Sequence, residues 1–339
     1  MRFFTQQHAY YCGIDLHAKT MYLCILNQAG DVLLHRNIKS DPEAFLHVIA
    51  SYRTDLVVCV ECIFTWYWIA DLCARENLPF VLGHALYMKA IHGGKTKNDR
   101  IDAAKIAHLL RGGYIPMAYV YPTAMRATRD LLRRRMHLMR QRAQLLAHIR
   151  NTNSQYNLPP IGRKIAYKAN REGVADHFPD EAVRQSMEVN LQLIDFYDPL
   201  LTQLELNWVS TAKIHDPQAF HLLRSIRGVG KILALVLLYE IHDIHRFPRV
   251  QNFCSYCRLI QGAHQSAGKT YCHSGKEIGN AHWKWAFSAA AALLIRCCPA
   301  VQKYKPKNLP SSPTNWDAVP TTYSNESSRL TKNACYPVE

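Results

Sequence analysis

Tyr11-Cys12-Gly13-Ile14-Asp15-Leu16-His17-Ala18-Lys19-Thr20-Met21-Tyr22-Leu23-Cys24-Ile25-Leu26-Asn27 reads as a strand, a polar turn and a second strand. Short runs of β-branched, aromatic and aliphatic residues are broken only at His17-Ala18-Lys19-Thr20. Asp15 falls inside the first apolar run. Burying an unpaired charge costs several kcal/mol, so an acid there calls for a cation, a cluster of donors or an exposed strand end beside it. Our reading gives Asp15 a divalent metal. An aspartate that merely turns into a hairpin accounts for this stretch equally well.

Working outward, residues 10–90 read as an α/β unit. The two strands lead through Ala29-Gly30-Asp31 to a third, Val32 to Ile38, and Ser40-Asp41-Pro42-Glu43 opens a helix with a cap and a first-turn proline. Leu56-Val57-Val58-Cys59-Val60 is an uninterrupted apolar run, as in a strand buried on both faces, and it ends at Glu61. A helix over Phe64 to Glu76 and a strand over Pro79 to Leu82 follow. The order is β-β-β-α-β-α-β, and open α/β sheets bind ligands at the C-terminal ends of such strands. Asp15 and Glu61 can both lie there.

Gly93-Gly94-Lys95-Thr96-Lys97 forms a basic loop, and from Asp99 the pattern is helical. Asp99 and Asp102 are three apart, so both carboxylates leave one face of the first turn. A helix cap explains one of them and leaves the other as an extra charge beside it. Four carboxylates on three elements of a basic protein point to Mg²⁺ or Mn²⁺, hard cations that prefer oxygen and assist displacement at a phosphodiester. The charge balance fits: 41 Lys and Arg against 26 Asp and Glu give a net charge of +15, which favours nucleic acid.

From Met125 the composition changes. Met125 to Arg150 holds eight arginines and one acid, Asp130. Leu132, Met136, Met139, Ala143 and Leu146 are spaced four-three-four-three, a coiled-coil seam that leaves Arg133, Arg134, Arg140 and Arg150 for solvated faces. A second seam runs through Val183, Met187, Asn190, Ile194, Tyr197, Leu201, Leu204 and Trp208, with a kink expected at Pro199. Between them, 157–179 reads as an irregular crossover. The whole is a helical hairpin or dimerising arm; a plain spacer and an arm that also tracks phosphate fit it equally.

Leu222 to Ala234 carries Gly228-Val229-Gly230-Lys231 between apolar segments, the pattern of a helix-hairpin-helix whose backbone N–H groups approach phosphate. A helix–turn–helix packing element is the alternative. Phe253 to Asn280 reads as a polar, basic loop between helical segments, containing Ser266-Ala267-Gly268-Lys269, Ser274 and Lys276, with a long helix from Ala281. A loop hydroxyl near a cation suits covalent phosphoryl chemistry. The residues alone do not choose between Ser266 and Ser274.

Other classes are excluded or disfavoured. The most apolar run, Trp285 to Ile295, falls well short of the roughly 20 residues that a spanning helix needs. No basic-then-apolar leader opens the chain. The odd count of eleven cysteines suits reduced thiols in a cytosol. Cys59/Cys62 and Cys254/Cys257 have the spacing of zinc half-sites, with Cys272 and His273 available to the second, but core packing explains them better. Beyond Lys305 the chain loses periodicity and is expected to be disordered.

Three motifs give these pieces a family likeness: Gly13-Ile14-Asp15 with Lys19-Thr20; Lys97-Asn98-Asp99-Arg100-Ile101-Asp102-Ala103; and Ser266-Ala267-Gly268-Lys269 followed by Gly275-Lys276-Glu277-Ile278-Gly279-Asn280-Ala281-His282 and Lys284-Trp285-Ala286-Phe287-Ser288. The sequence resembles the DEDD transposases of the insertion-sequence one-ten family, and within it the one-one-one-one subgroup, over roughly residues 10–304. The resemblance implies an RNase-H-like (RuvC-like) N-terminal α/β domain over 1–122 with Asp15, Glu61, Asp99 and Asp102 as the metal site. A coiled-coil arm and crossover over 123–215 follow. Next comes a mainly α C-terminal transposase domain over 216–304 that carries the helix-hairpin-helix element and Ser266 as nucleophile, forming a phosphoserine link to a DNA end. An atypical tail fills 305–339, where the family's basic helical sequence is expected to continue; this departure bears on whether this copy is active. The implied partners are DNA, a bridge (guide) RNA and further copies of the chain, as a homodimer or homotetramer, in a bacterial cytoplasm. Nucleic-acid contacts are expected at Lys95, Lys97, Arg133, Arg134, Arg140, Gly228, Gly230, Lys231, Lys269 and Lys276. Site-specific DNA inversion, a junction nuclease using the carboxylates with water alone, and a non-catalytic nucleic-acid-binding protein are the competing functions.

Overall fold

In the computed structural model, Gly13 to Asn27 is the centre of a mixed sheet. Described are residues 2–91, 98–260, 262–266, 269–274 and 279–302, the side chains of 90, 207–215, 262–274, 297, 300 and 302 excepted. The chain divides into two units, Met1–Ala124 and Met125–Glu339.

In the first unit β1 (Tyr10–Leu16) and β2 (Thr20–Asn27) form a hairpin, closed where the His17 N–H donates to the Thr20 carbonyl at 3.0 Å. Strand β3 (Val32–Lys39) pairs with β2, and helix α1 (Pro42–Ile49) opens with Asp41 accepting the Ala44 N–H and Pro42 in the first turn. Strand β4 (Leu56–Glu61), helix α2 (Tyr67–Arg75), strand β5 (Phe80–Gly83) and helices α3 (Ala85–Ile91) and α4 (Asp99–Arg111) complete the unit. Helix α2 begins later than the expected Phe64, because a turn occupies Phe64 to Trp66 and the Thr65 hydroxyl there donates to the Leu16 carbonyl at 3.2 Å. The order is β3-β2-β1-β4-β5, with β1, β4 and β5 parallel and the β1–β2 and β2–β3 pairings antiparallel.

Strand alternation sorts the side chains into two cores. Cys12, Ile14 and Leu16 join Val58, Val60, Met21 and Leu23 beneath Phe45 and Ile49 of α1 and Ile69 and Cys73 of α2. Tyr11, Cys24, Val57 and Cys59 face the other way, against Ala103, Ile106, Ala107 and Leu110 of α4. Cover on both faces is why β4 carries no polar residue before Glu61. A five-stranded mixed sheet of this kind fits an RNase-H-like domain.

The second unit is mostly helical. Helices α5 (Thr123–Gln155) and α6 (Glu181–His215) carry the arm. They are linked by Arg135 to Glu205, Arg142 to Asp198 at 2.6 Å and Asn190 to His148 at 2.9 Å, partners that rise along one helix as they fall along the other, so the pair is antiparallel. The α5 seam divides between two cores: Leu132 and Met136 pack with the C-terminal helices, while Leu146 packs with Ile149, Met187, Ile194 and the crossover's Ile165 and Phe178. Pro199 lies within α6, and the side chain of Trp208 is outside the described residues. Arg171 latches the crossover: it pairs with Asp195 and Asp198 and donates to the Ile165 and Ala166 carbonyls at 3.0 Å.

Helix α7 (Pro217–Ser225), the turn through Gly228, and α8 (Lys231–Ile241) follow. A helix apolar on all sides must be central: Leu233 through Glu240 are all buried, packed on Phe253 of α9 (Val250–Tyr256) and on Trp283, Ala286 and Ala289 of α10 (Ala281–Cys297). Between α9 and α10, where a loop was expected, stand two paired strands, β6 (Gly262–Ser266) and β7 (Lys269–Ser274). Ser266 pairs with Lys269, so two residues, one a glycine, connect the strands. That spacing is the short-hairpin signature which the polar composition conceals. The segment 305–339 lies outside the described residues.

Candidate functional site

The register of β1 and β4 brings two acids side by side. Ile14 pairs with Val60, so Asp15 and Glu61 stand one position further on, at the C-terminal ends of neighbouring parallel strands. Alternation places Asp15 on the face of Tyr11 and Glu61 on the face of Val57 and Cys59, the face that α4 covers. Burial, with the Glu61 charge adding to it, pushes the Cys59 thiol well up, which fits that shared face.

Gly13 sets where α4 sits. A Cβ there would meet the Ala107 nitrogen at 2.3 Å and the Ala103 carbonyl oxygen at 2.5 Å, so only glycine lets the helix backbone lie this close to β1. The first turn of α4 then falls beside Asp15. Asn98 caps the helix by accepting the Arg100 N–H at 2.9 Å, so neither Asp99 nor Asp102 is used up as the cap. From β3, on the same face of the sheet, His35 Nε2 donates to the Arg100 carbonyl at 2.9 Å and holds that turn down; its ring stands edge-on to Tyr22, which pairs with Asp15.

Within this cluster the Asp15, His17 and Asp99 ligand atoms lie within 4.8 Å of one another, the one such group among the described residues. His17 Nε2 is 3.4 Å from Asp15 Oδ2 and 3.6 Å from Asp99 Oδ1. Lys105 Nζ is 3.3 Å from Asp102 Oδ1. Burial lifts the Asp15 carboxyl above its usual range; His17 pulls it back, and the Asp99 and Asp102 charges lift it further. Asp15 is half-buried, whereas Asp99 is exposed. The result is an anchored acid beside an exposed one, Asp99, with the half-buried Asp102 in the same helix turn; His17 stands against Asp99 and Lys105 against Asp102.

His17 is the residue that the sequence reading passed over as a turn position. The signal was present: Asp15 and His17 are two apart at a strand end, which puts them on one face.

The remaining expected contacts fare differently. Arg134 and Arg140 are exposed, but Arg133 is not left to solvent: its Nε lies 2.6 Å from Glu240 Oε1. Arg129 Nε and Asn280 Nδ2 also reach Glu240 Oε2, at 3.0 and 2.7 Å. An acid buried in a central helix needs such partners, a demand that heptad counting along α5 alone does not reveal. Burial would raise the Glu240 carboxyl, but Arg133 and Arg129 outweigh it and bring it down to about 2. Gly228 has φ +87°, and a Cβ there would strike the Ala290 carbonyl oxygen of α10 at 2.5 Å, a packing reason for that glycine. Gly230 has open space around it and precedes α8, with Lys231 exposed. Cys257 is buried, and neither it nor Cys254 belongs to a metal-holding group among the described residues. Lys95, Lys97, Lys276 and the side chains of Ser266, Lys269, Cys272, His273 and Ser274 lie outside the described residues.

The order β3-β2-β1-β4-β5 with carboxylates at the strand ends fits the class of RNase-H-like domains. Comparison with known proteins agrees. A model of DEDD transposases of the IS110 type matches residues 12–157, and a model of the transposase IS116/IS110/IS902 family matches residues 220–306. The transposase for insertion sequence element IS1111A of Coxiella burnetii is 25% identical over 293 residues, 84% of this chain and 77% of that protein. The putative transposase y4qE of Sinorhizobium fredii is 26% identical over 275 residues, 80% of this chain and 63% of that protein. The transposase for IS1533 of Leptospira borgpetersenii is 23% identical over 258 residues, 71% of each. The chain belongs to the IS110 family of insertion-sequence transposases. DNA is therefore its partner, and among the described residues no helix is long and apolar enough to cross a membrane.

Proposed function

We propose that this transposase cuts and rejoins DNA with a divalent metal site formed by Asp15, Glu61, Asp99 and Asp102 and with Ser266 as nucleophile. The observation that carries the metal site is the approach of Asp15 and Asp99, whose carboxylate oxygens lie within 4.8 Å of one another, with Asp102 in the same first turn of α4 and Glu61 on the adjacent strand. The donor set fits: hard carboxylate oxygens suit Mg²⁺ or Mn²⁺. Bound there, the ion supplies Lewis-acid stabilisation of charge on phosphate oxygens. The chain's own groups do the rest. Asp15 is the fixed anchor, Asp99 presents its oxygens to solvent and substrate, and Lys105 offsets the charge of the half-buried Asp102.

The Ser266 hydroxyl attacks phosphorus, the bond from phosphorus to a sugar oxygen breaks, and the serine proton is balanced by the proton that the departing sugar hydroxyl gains. The phosphoserine diester keeps the bond energy, and attack by another sugar hydroxyl reverses the step and frees the serine. The net charge of +15, exposed Arg134 and Arg140, and the open backbone at Gly230 before α8 support phosphate contacts along the arm and a helix-hairpin-helix. A bridge RNA and a dimer or tetramer built on a coiled-coil arm complete the reading; the antiparallel α5–α6 pair supports the arm.

The test is strand cleavage on DNA carrying the element's ends. Asp15→Asn abolishes cleavage with Mg²⁺ or Mn²⁺, and Ser266→Ala abolishes the covalent protein–DNA adduct. Cleavage that survives the serine change without an adduct identifies a water-using nuclease instead, and cleavage in chelator removes the metal from the account.

A further inference from the structure

We propose that His17 is a nitrogen ligand of the metal site, making it a three-element site of mixed donors that favours Mn²⁺ over Mg²⁺. This rests on the reading of the carboxylates as a metal site. Three observations carry it.

The imidazole Nε2 faces both acids at once, 3.4 Å from Asp15 Oδ2 and 3.6 Å from Asp99 Oδ1. Donors roughly 2.1 Å from a shared ion stand about 3.0 Å apart when adjacent and about 4.2 Å apart when opposite. The two separations lie between those limits.

The backbone of His17 is held. Its N–H donates to the Thr20 carbonyl at 3.0 Å, and its own carbonyl accepts the Ser40 hydroxyl at 2.7 Å from beyond β3. Fixing the residue that carries a ligand at both its N–H and its C=O is the support a coordinating side chain needs.

The ring is half-exposed, at 50%, so nothing in the core demands a histidine here. Packing therefore does not explain it, and its neighbours are oxygens that a metal would share. Imidazole binds Mg²⁺ poorly and the later divalent ions better, so a nitrogen in the shell tilts selectivity toward Mn²⁺ without excluding Mg²⁺.

The experiment is pulsed electron paramagnetic resonance on full-length protein with Mn²⁺ alone, together with Mn²⁺ and Mg²⁺ affinities, for wild type, His17→Ala, His17→Gln and Asp15→Asn. Wild type is expected to show ¹⁴N coupling from a bound imidazole, absent in both His17 variants. Mn²⁺ affinity is expected to fall roughly tenfold in those variants while Mg²⁺ affinity changes by less than about threefold. Mn²⁺ binding that depends on Asp15, shows no nitrogen coupling and is indifferent to His17 overturns this inference and leaves the carboxylate site standing. Mn²⁺ binding that is absent, or unchanged in Asp15→Asn, removes both.

Discussion

At Asp15 the cost of function is visible in the electrostatics. Burial and the Asp99 and Asp102 charges all disfavour its ionised form, and only His17 opposes them. A carboxyl lifted in the folded state contributes stability at low pH that is lost as pH rises through its folded value. Asp15→Asn, which keeps the shape and removes the charge, is therefore expected to raise Tm by about 1–2 °C at pH 7.5 while cleavage disappears. A fall in Tm measured by calorimetry would mean that the acid is structural. The same balance explains what could be read from the chain. An acid in an apolar run is conspicuous, so Asp15 was legible. The pair at Asp99 and Asp102 was ambiguous because a cap needs only one acid, and the ambiguity ends at Asn98, which takes the cap itself. His17 was hidden because turn composition reads as polar whatever its side chains face.

Among the elements, the contact of α4 with β1 decides whether the acids meet. Gly13→Ala would drive a methyl group into the backbone of Ala103 and Ala107. We expect a loss of about 2 kcal/mol in urea unfolding and, with the helix displaced, a loss of Mn²⁺ binding larger than that destabilisation explains. In the C-terminal helices, Glu240 of α8 ties Arg129 and Arg133 of α5 to Asn280 at the cap of α10. Glu240→Gln leaves two arginines short of a charge and is expected to cost about 3 kcal/mol. Burial, then the Arg133 charge, hold the nearby His282 down to about 4 from its ordinary 6.5. The unfolded chain thus takes up a proton that the folded chain refuses, and stability is lost as pH falls from about 6.5 through 4. His282→Asn should flatten that slope in denaturation curves at pH 7 and 5; an unchanged slope would place the acid sensitivity elsewhere. The Glu240 network was not legible in the sequence, since α8 reads as an apolar helix and the α5 arginines read as a solvated face. Glu240 lies 111 and 107 positions from Arg129 and Arg133.

For the molecule as a whole, periodicity gave the sheet, the two arm helices and the apolar core helix, because each buries a face that its own residues spell out. The β6–β7 pair was missed because its strands are polar and glycine-bearing. The excess of 15 positive charges pointed to a polyanion, and the family match makes that polyanion DNA. What remains central is whether acids from β1, β4 and α4 hold an ion together. Anomalous scattering from crystals of the full chain soaked in Mn²⁺ addresses this most directly. The account predicts a peak bounded by Asp15, Asp99 and Glu61 or Asp102, and lost in Asp15→Asn crystals. An ordered first unit with no peak at the end of β1, or a peak unaffected by that substitution, would contradict it.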